Sequence, residues 1–195
     1  MASGRLRSTM DLRNKHRQLK TIIASQVASI LVAIKKIMRH KPGNIFSIDI
    51  GDGSYCFGRS LESPLMAFYN LRTLKIPSLE FIVTQSVLFK ICVREKEGLR
   101  SGRWEILGNI ELGANDLLPV SFFKQDIYDP SKISIYMSNS RGEETPTTID
   151  QAIGLENVAV WESQHVEDRL LDYFHNRPNK WVESLKPKHA KKSVR

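Results

Sequence analysis

Two short apolar runs, Ile45-Phe46-Ser47-Ile48 and Tyr55-Cys56-Phe57, flank Gly51-Asp52-Gly53 in the first third of the chain. Glycine reaches positive φ without steric penalty, and an aspartate side chain bonds to nearby backbone, so this tripeptide reverses the chain tightly. Two β-prone runs joined by such a turn make an antiparallel hairpin. A lone hairpin is unstable in water, so the rest of the chain must supply more strands or a covering helix. Further runs answer that need. Strands are expected at 65–71, 88–93, 104–110, 120–123, 133–137 and 157–161, with a short helix or another strand at 77–85. The stretch 138–147 reads as a polar loop. After 161, Val166, Leu170, Leu171 and Phe174 recur at helical spacing, Ser163 is placed to cap, and Pro178 ends the run. The expected class is α+β, mainly β. It would be a small, partly closed antiparallel β barrel or a sheet, with a C-terminal helix packed across it.

The segment before Pro42 has a different period. Ile23, Val27, Ile30, Ile34 and Ile37 recur every three or four residues, flanked by Lys20, Lys35, Lys36 and Arg39, and Pro42-Gly43 stops the pattern. Lys35-Lys36 and the lack of a small-x-small site argue against a signal peptide. Ser25, Gln26 and Ser29 make the run too polar to span a bilayer. An amphipathic helix of this kind docks on a partner or lies on an anionic membrane surface. A start at Met10 or Met38 instead would leave this segment outside the domain. Three parts follow: a basic helical extension at 1–41, a β domain at 42–185, and a basic tail at 186–195 with nothing to bury, expected to be disordered.

Charge separates these parts. The formal net charge of +8 comes from the ends, since residues 1–41 hold ten Lys/Arg against Asp11 alone, and residues 181–195 hold five against Glu183. The body between them carries a net of −5. It lacks a basic groove with interleaved aromatics, so no specific nucleic-acid partner is expected. Cys56 and Cys92 are too few for a disulfide framework, which makes a reducing, cytoplasmic setting the default.

No phosphate loop, dinucleotide fingerprint, nucleophile elbow or zinc-protease motif occurs, no Cys/His pair has metal-ligand spacing, and no metal or cofactor is expected. Three clusters carry some chemistry. Glu162, His165 and Asp168 open the last helix, where His165 could act as a base or ligand; acids there also suit the helix dipole. Asp52 and Tyr55, with Asp49, surround the hairpin turn, where turn chemistry is the plainer explanation. Arg103-Trp104 is either a binding hot spot or the plug of a small β core. Glu143 and Glu144 in the polar loop are candidates to steer a basic partner.

The segments Gly43-Asn44-Ile45-Phe46-Ser47-Ile48 and Gly51 to Arg59, Ser101-Gly102-Arg103-Trp104 to Gly108, and Gly154-Leu155-Glu156 through Val160-Trp161, His165-Val166-Glu167 and Arg169-Leu170 together resemble the immunity protein 26 family. The resemblance covers roughly 42–183. It implies a small, mostly β immunity protein of a bacterial polymorphic-toxin system, which binds and blocks a cognate toxin domain. The family name is also attached to a small phosphotriesterase, which implies, as the alternative, a hydrolase acting on organophosphates. No catalytic motif carries over residue by residue.

Overall fold

A computed structural model describes residues 16, 18–23, 25–26, 41–94 and 98–189. The chain divides into two units, Met1–Arg39 and His40–Arg195. In the first, the described residues are helical, and Leu19, Ile22 and Ile23 are exposed. The remainder of the expected apolar stripe, from Val27 onward, lies outside the described residues. No helix among the described residues is long and apolar enough to cross a membrane.

The second unit is mixed α+β, mainly β, built on two sheets. The first has six strands, β1 (Asn44–Asp49), β2 (Tyr55–Ser60), β3 (Leu65–Thr73), β4 (Val87–Val93), β5 (Glu105–Asn109) and β10 (Val160–Trp161), in the order β10-β4-β3-β2-β1-β5. The second has four, β6 (Ser121–Gln125), β7 (Ile133–Met137), β8 (Glu144–Pro146) and β9 (Glu156–Asn157), in the order β8-β7-β6-β9. The sheets do not close into a barrel, so the open-sheet form of the expected fold is the one adopted. Nor is the pairing wholly antiparallel, because β10 runs parallel to β4 and β9 parallel to β6. Among the described residues four helices accompany the sheets: α1 (Leu79–Val83), α2 (Ile149–Ala152), α3 (Ser163–Phe174) and α4 (Lys180–Leu185).

The opening hairpin forms as its turn chemistry dictates. Gly51 and Gly53 both take φ of +82°, and the Asp49 and Asp52 carboxylates accept from the backbone of Gly51 and Ser54. Register pairs Ser47 with Phe57 and Ile48 with Cys56. The strand is buried on both faces, which explains its broken alternation of apolar residues. Phe46 and Ile48 join one core with Phe68, Ile91, Trp104, Trp161, Val166 and Leu170; Ile45 joins another with Phe57, Tyr69 and Ile82 of α1. A third cluster, Leu61, Leu65, Ala67 and Phe122, joins the two sheets.

Trp104 sits at the middle of the larger core. It stacks on Phe46 at 5.2 Å between centroids and 7° between planes, while Phe68 meets both rings edge-on. Two glycines make room. A Cβ on Gly58 would stand 2.5 Å from the Phe46 ring, and one on Gly98 would stand 2.8 Å from the Trp104 ring.

Several local expectations change. The single strand expected at 157–161 is two strands, β9 and β10, in different sheets. Glu162, not Ser163, occupies the N-cap of α3, without a side-chain cap bond; Ser163 is the first helical residue and is buried. A further helix, α4, follows Pro178, capped by the Asn179 side chain, which accepts from the N–H groups of Trp181 and Val182. The polar stretch 138–147 also holds β8, paired with β7. The start of the basic tail is placed too: Gln125 and Lys188 exchange two hydrogen bonds, of 2.8 and 2.9 Å.

Replacing Trp104 with Ala is expected to cost about 3–5 kcal/mol, since it removes a fully buried ring and leaves a cavity. Urea unfolding of the purified protein measures this, and a midpoint that barely moves would show that the core does not rest on the stack.

Candidate functional site

The chemistry-bearing residues gather along α3. Arg103 reaches it from the loop before β5, with Nε and Nη2 donating to the two oxygens of Glu167 at 2.5 Å each and Nη2 also donating to Gln164. The buried Trp104 indole donates to Glu167 at 2.9 Å. One carboxylate therefore holds both members of the Arg103-Trp104 pair. Such bidentate, charge-assisted contacts are stronger than neutral ones, and this one ties the loop to the helix. The Trp104 ring itself is enclosed.

His165 stacks on Trp181 of α4 at 3.6 Å between centroids, and the Trp181 indole donates to Asp168 at 3.0 Å. Glu162 faces Arg94 at 3.7 Å. The three candidate catalytic residues are thus near in sequence but separately engaged. Among the described residues no hydrogen bond joins His165 to Glu162 or Asp168, and no group of three His, Cys, Asp or Glu side chains could hold a metal ion. One turn further on, Arg169 lies over the Phe89 ring at 3.7 Å and makes a two-pronged pair with Glu156 of β9, at 3.0 and 2.6 Å.

The C-terminal end of α3 meets the opening hairpin. Asp52 accepts from the Ser54 hydroxyl at 2.5 Å and from Arg72 at 2.7 Å, and stands 3.6 Å from His175 Nε2. His175 Nδ1 lies 2.8 Å from the Leu171 carbonyl, so it is Nδ1 that carries a proton and Nε2 that faces the carboxylate. The Ser54 hydroxyl, then the Ser54 N–H, Arg72 and His175, hold the Asp52 carboxyl below its ordinary value, against a partial burial that raises it. Tyr55 is half-buried and packs on the α1 side of the sheet.

Glu144 in β8 is engaged by Lys124 at 2.5 Å and by the Ser134 hydroxyl at 2.8 Å, which lower its carboxyl. Glu143 beside it is exposed. Burial pushes the Cys56 thiol up to about 12 and raises that of Cys92, which leaves neither as a ready nucleophile. Sequence reasoning missed Arg59. This buried guanidinium donates to Asp116 and to the carbonyls of Ile110 and Glu111, each at 2.7 Å, anchoring the loop after β5. The only signal for it was a charged residue within an otherwise apolar strand.

Among the described residues, the cavities that open on the surface include two lined mainly by apolar side chains. One, of about 390 Å³, lies between Pro64, Phe122, Tyr136 and Val160, with Leu117 and Leu118 exposed at its rim. The other, of about 420 Å³, lies between Phe123, Ile153, Leu155, Trp161 and Leu185.

These features define a small α+β module whose charged clusters chiefly tie its own elements together. Residues 41–134 match the family model of Immunity protein 26. The match takes in the hairpin motif and the Arg103-Trp104 motif and ends before the third motif at 154–170. No curated protein and no solved structure matches.

The Asp52 cluster has a pH signature. A carboxyl held below its ordinary value of 3.8 stabilises the fold above that pH, and this contribution is lost as pH falls through the lower, folded value. Replacing Asp52 with Asn is therefore expected to lower the melting temperature at neutral pH and to flatten its decline below about pH 4. Melts followed by circular dichroism from pH 7 to 2.5 check this; parallel wild-type and variant curves would sever the cluster from stability.

Proposed function

We propose that this chain is an immunity protein that binds a cognate toxin domain of a bacterial polymorphic-toxin system and neutralises it in the cytoplasm. The observation that carries the reading is the match of residues 41–134 to Immunity protein 26. The net charge of −5 on the body supports it, because an acidic surface attracts a basic toxin and speeds association. Neutralisation by binding calls for no catalytic group. That suits a module in which His165 is packed on Trp181 and Asp168 accepts from the same indole.

The test pairs survival with kinetics. Cells expressing the toxin domain encoded beside this gene are expected to grow only when this chain is co-expressed. Glu80, Glu111 and Glu143 are exposed. Reversing all three to Lys is expected to slow association about tenfold at low salt, with the difference shrinking at high salt. Failure to protect against any neighbouring toxin, together with phosphotriester turnover that vanishes in His165→Ala, would overturn the reading.

A further inference from the structure

The turn joining β6 to β7 presents two large apolar side chains to solvent. Ile127 is 89% exposed and Tyr128 is 96% exposed, the highest values among the exposed large hydrophobic side chains of the described residues. Neither contributes to any core cluster. A folded chain gains nothing internally from such placement, and a contiguous exposed apolar feature marks an interaction site more often than scattered single residues do.

The turn is also built to hold its shape. Asp126 Oδ1 accepts from the N–H groups of both Tyr128 and Asp129 at 2.8 Å. Asp129 Oδ1 accepts from the Ser131 hydroxyl at 2.5 Å and the Ser131 N–H at 3.2 Å. Backbone bonds close the loop, Asp126 N–H to the Lys132 carbonyl and Lys132 N–H to the Asp129 carbonyl, both at 3.0 Å. Below it, Gln125 donates to the Pro130 carbonyl at 2.7 Å. A turn fixed in this way loses little freedom when bound, which is the condition under which an exposed tyrosine becomes an anchor.

We propose that Ile127 and Tyr128 form the anchor by which this chain seats in an apolar pocket, rimmed by basic side chains, on the toxin domain. The inference rests on the immunity reading above and names the surface that serves it. Charge selects the occupant. Asp126 and Asp129 flank the tip; backbone N–H groups of Asp129 and Tyr128 hold the first carboxyl below its ordinary value, and the Ser131 hydroxyl holds the second below its own. Lys132, 3.5 Å from Asp129, is the one cation paired within the turn and leaves it net negative. An aromatic tip between two carboxylates complements a cationic cleft.

The experiment measures binding of the purified full-length chain to the immobilised toxin domain encoded beside its gene. Tyr128→Ala is expected to weaken binding at least 30-fold, and Ile127→Ala with Tyr128→Ala at least 100-fold, with the thermal melt unchanged. Asp126→Ala, which keeps both anchors but loosens the turn, is expected to weaken binding several-fold. Leu117→Ala with Leu118→Ala, on the rim of the first cavity, is the control and should bind like wild type. If wild type binds and the tip variants bind equally well, or if the Leu117/Leu118 control alone loses affinity, the tip is not the anchor. Should wild type itself fail to bind, the immunity reading fails, and the tip's assignment with it.

Discussion

The contact of Trp104 with Phe46 organises this molecule. An indole enclosed on all sides must satisfy its one N–H, and Glu167 does so from a helix 63 residues away in the chain. That same carboxylate receives Arg103, so a single acidic side chain fixes where α3 lies over the six-stranded sheet. The stack requires the flat surface provided by Gly58 in β2 and the close approach of Gly98 in the preceding loop. Four separate regions thus meet around one ring pair. Interiors are packed to crystal-like density, so a change to any of the four is felt by the others.

A second constraint lies in the six residues from Glu156 to Trp161. The chain leaves β9 in one sheet, turns where Asn157 Oδ1 accepts from the Ala159 N–H, and enters β10 in the other. Glu156, at the start of this step, is gripped by Arg169 of the helix that follows. The step and the Trp104 contact therefore converge on α3, whose inner face of Val166 and Leu170 belongs to the larger core.

How far the sequence revealed this depended on the range over which each signal acts. The opening hairpin was legible because Gly51-Asp52-Gly53 encodes its turn locally. The strand at Ile133–Met137 was legible from its own apolar run. The β9/β10 division was not, because apolar spacing cannot say which sheet a residue joins; that is decided by partners, Phe122 and Phe123 on one side and Cys92 and Val93 on the other. The helix α4 was within reach, since an asparagine after a proline is a strong start signal, but six residues with little apolar pattern did not stand out beside the longer α3. At the candidate site, Arg103 and Trp104 could be picked out by type, whereas their common partner could only be found in three dimensions. The stacking of His165 on Trp181, sixteen positions later and outside any local motif, was likewise beyond local signals.

The pairing of β10 with β4 carries a consequence for how the protein is made. Val160 and Trp161 cover the edge of Cys92 and Val93 only after about 70 further residues have been synthesised. Until they leave the ribosome, the nascent chain presents β4 as an unpaired, largely apolar edge, the kind of template on which strands from other chains add. Vectorial synthesis therefore gives this fold a window of vulnerability that closes late, when its final strand is laid down.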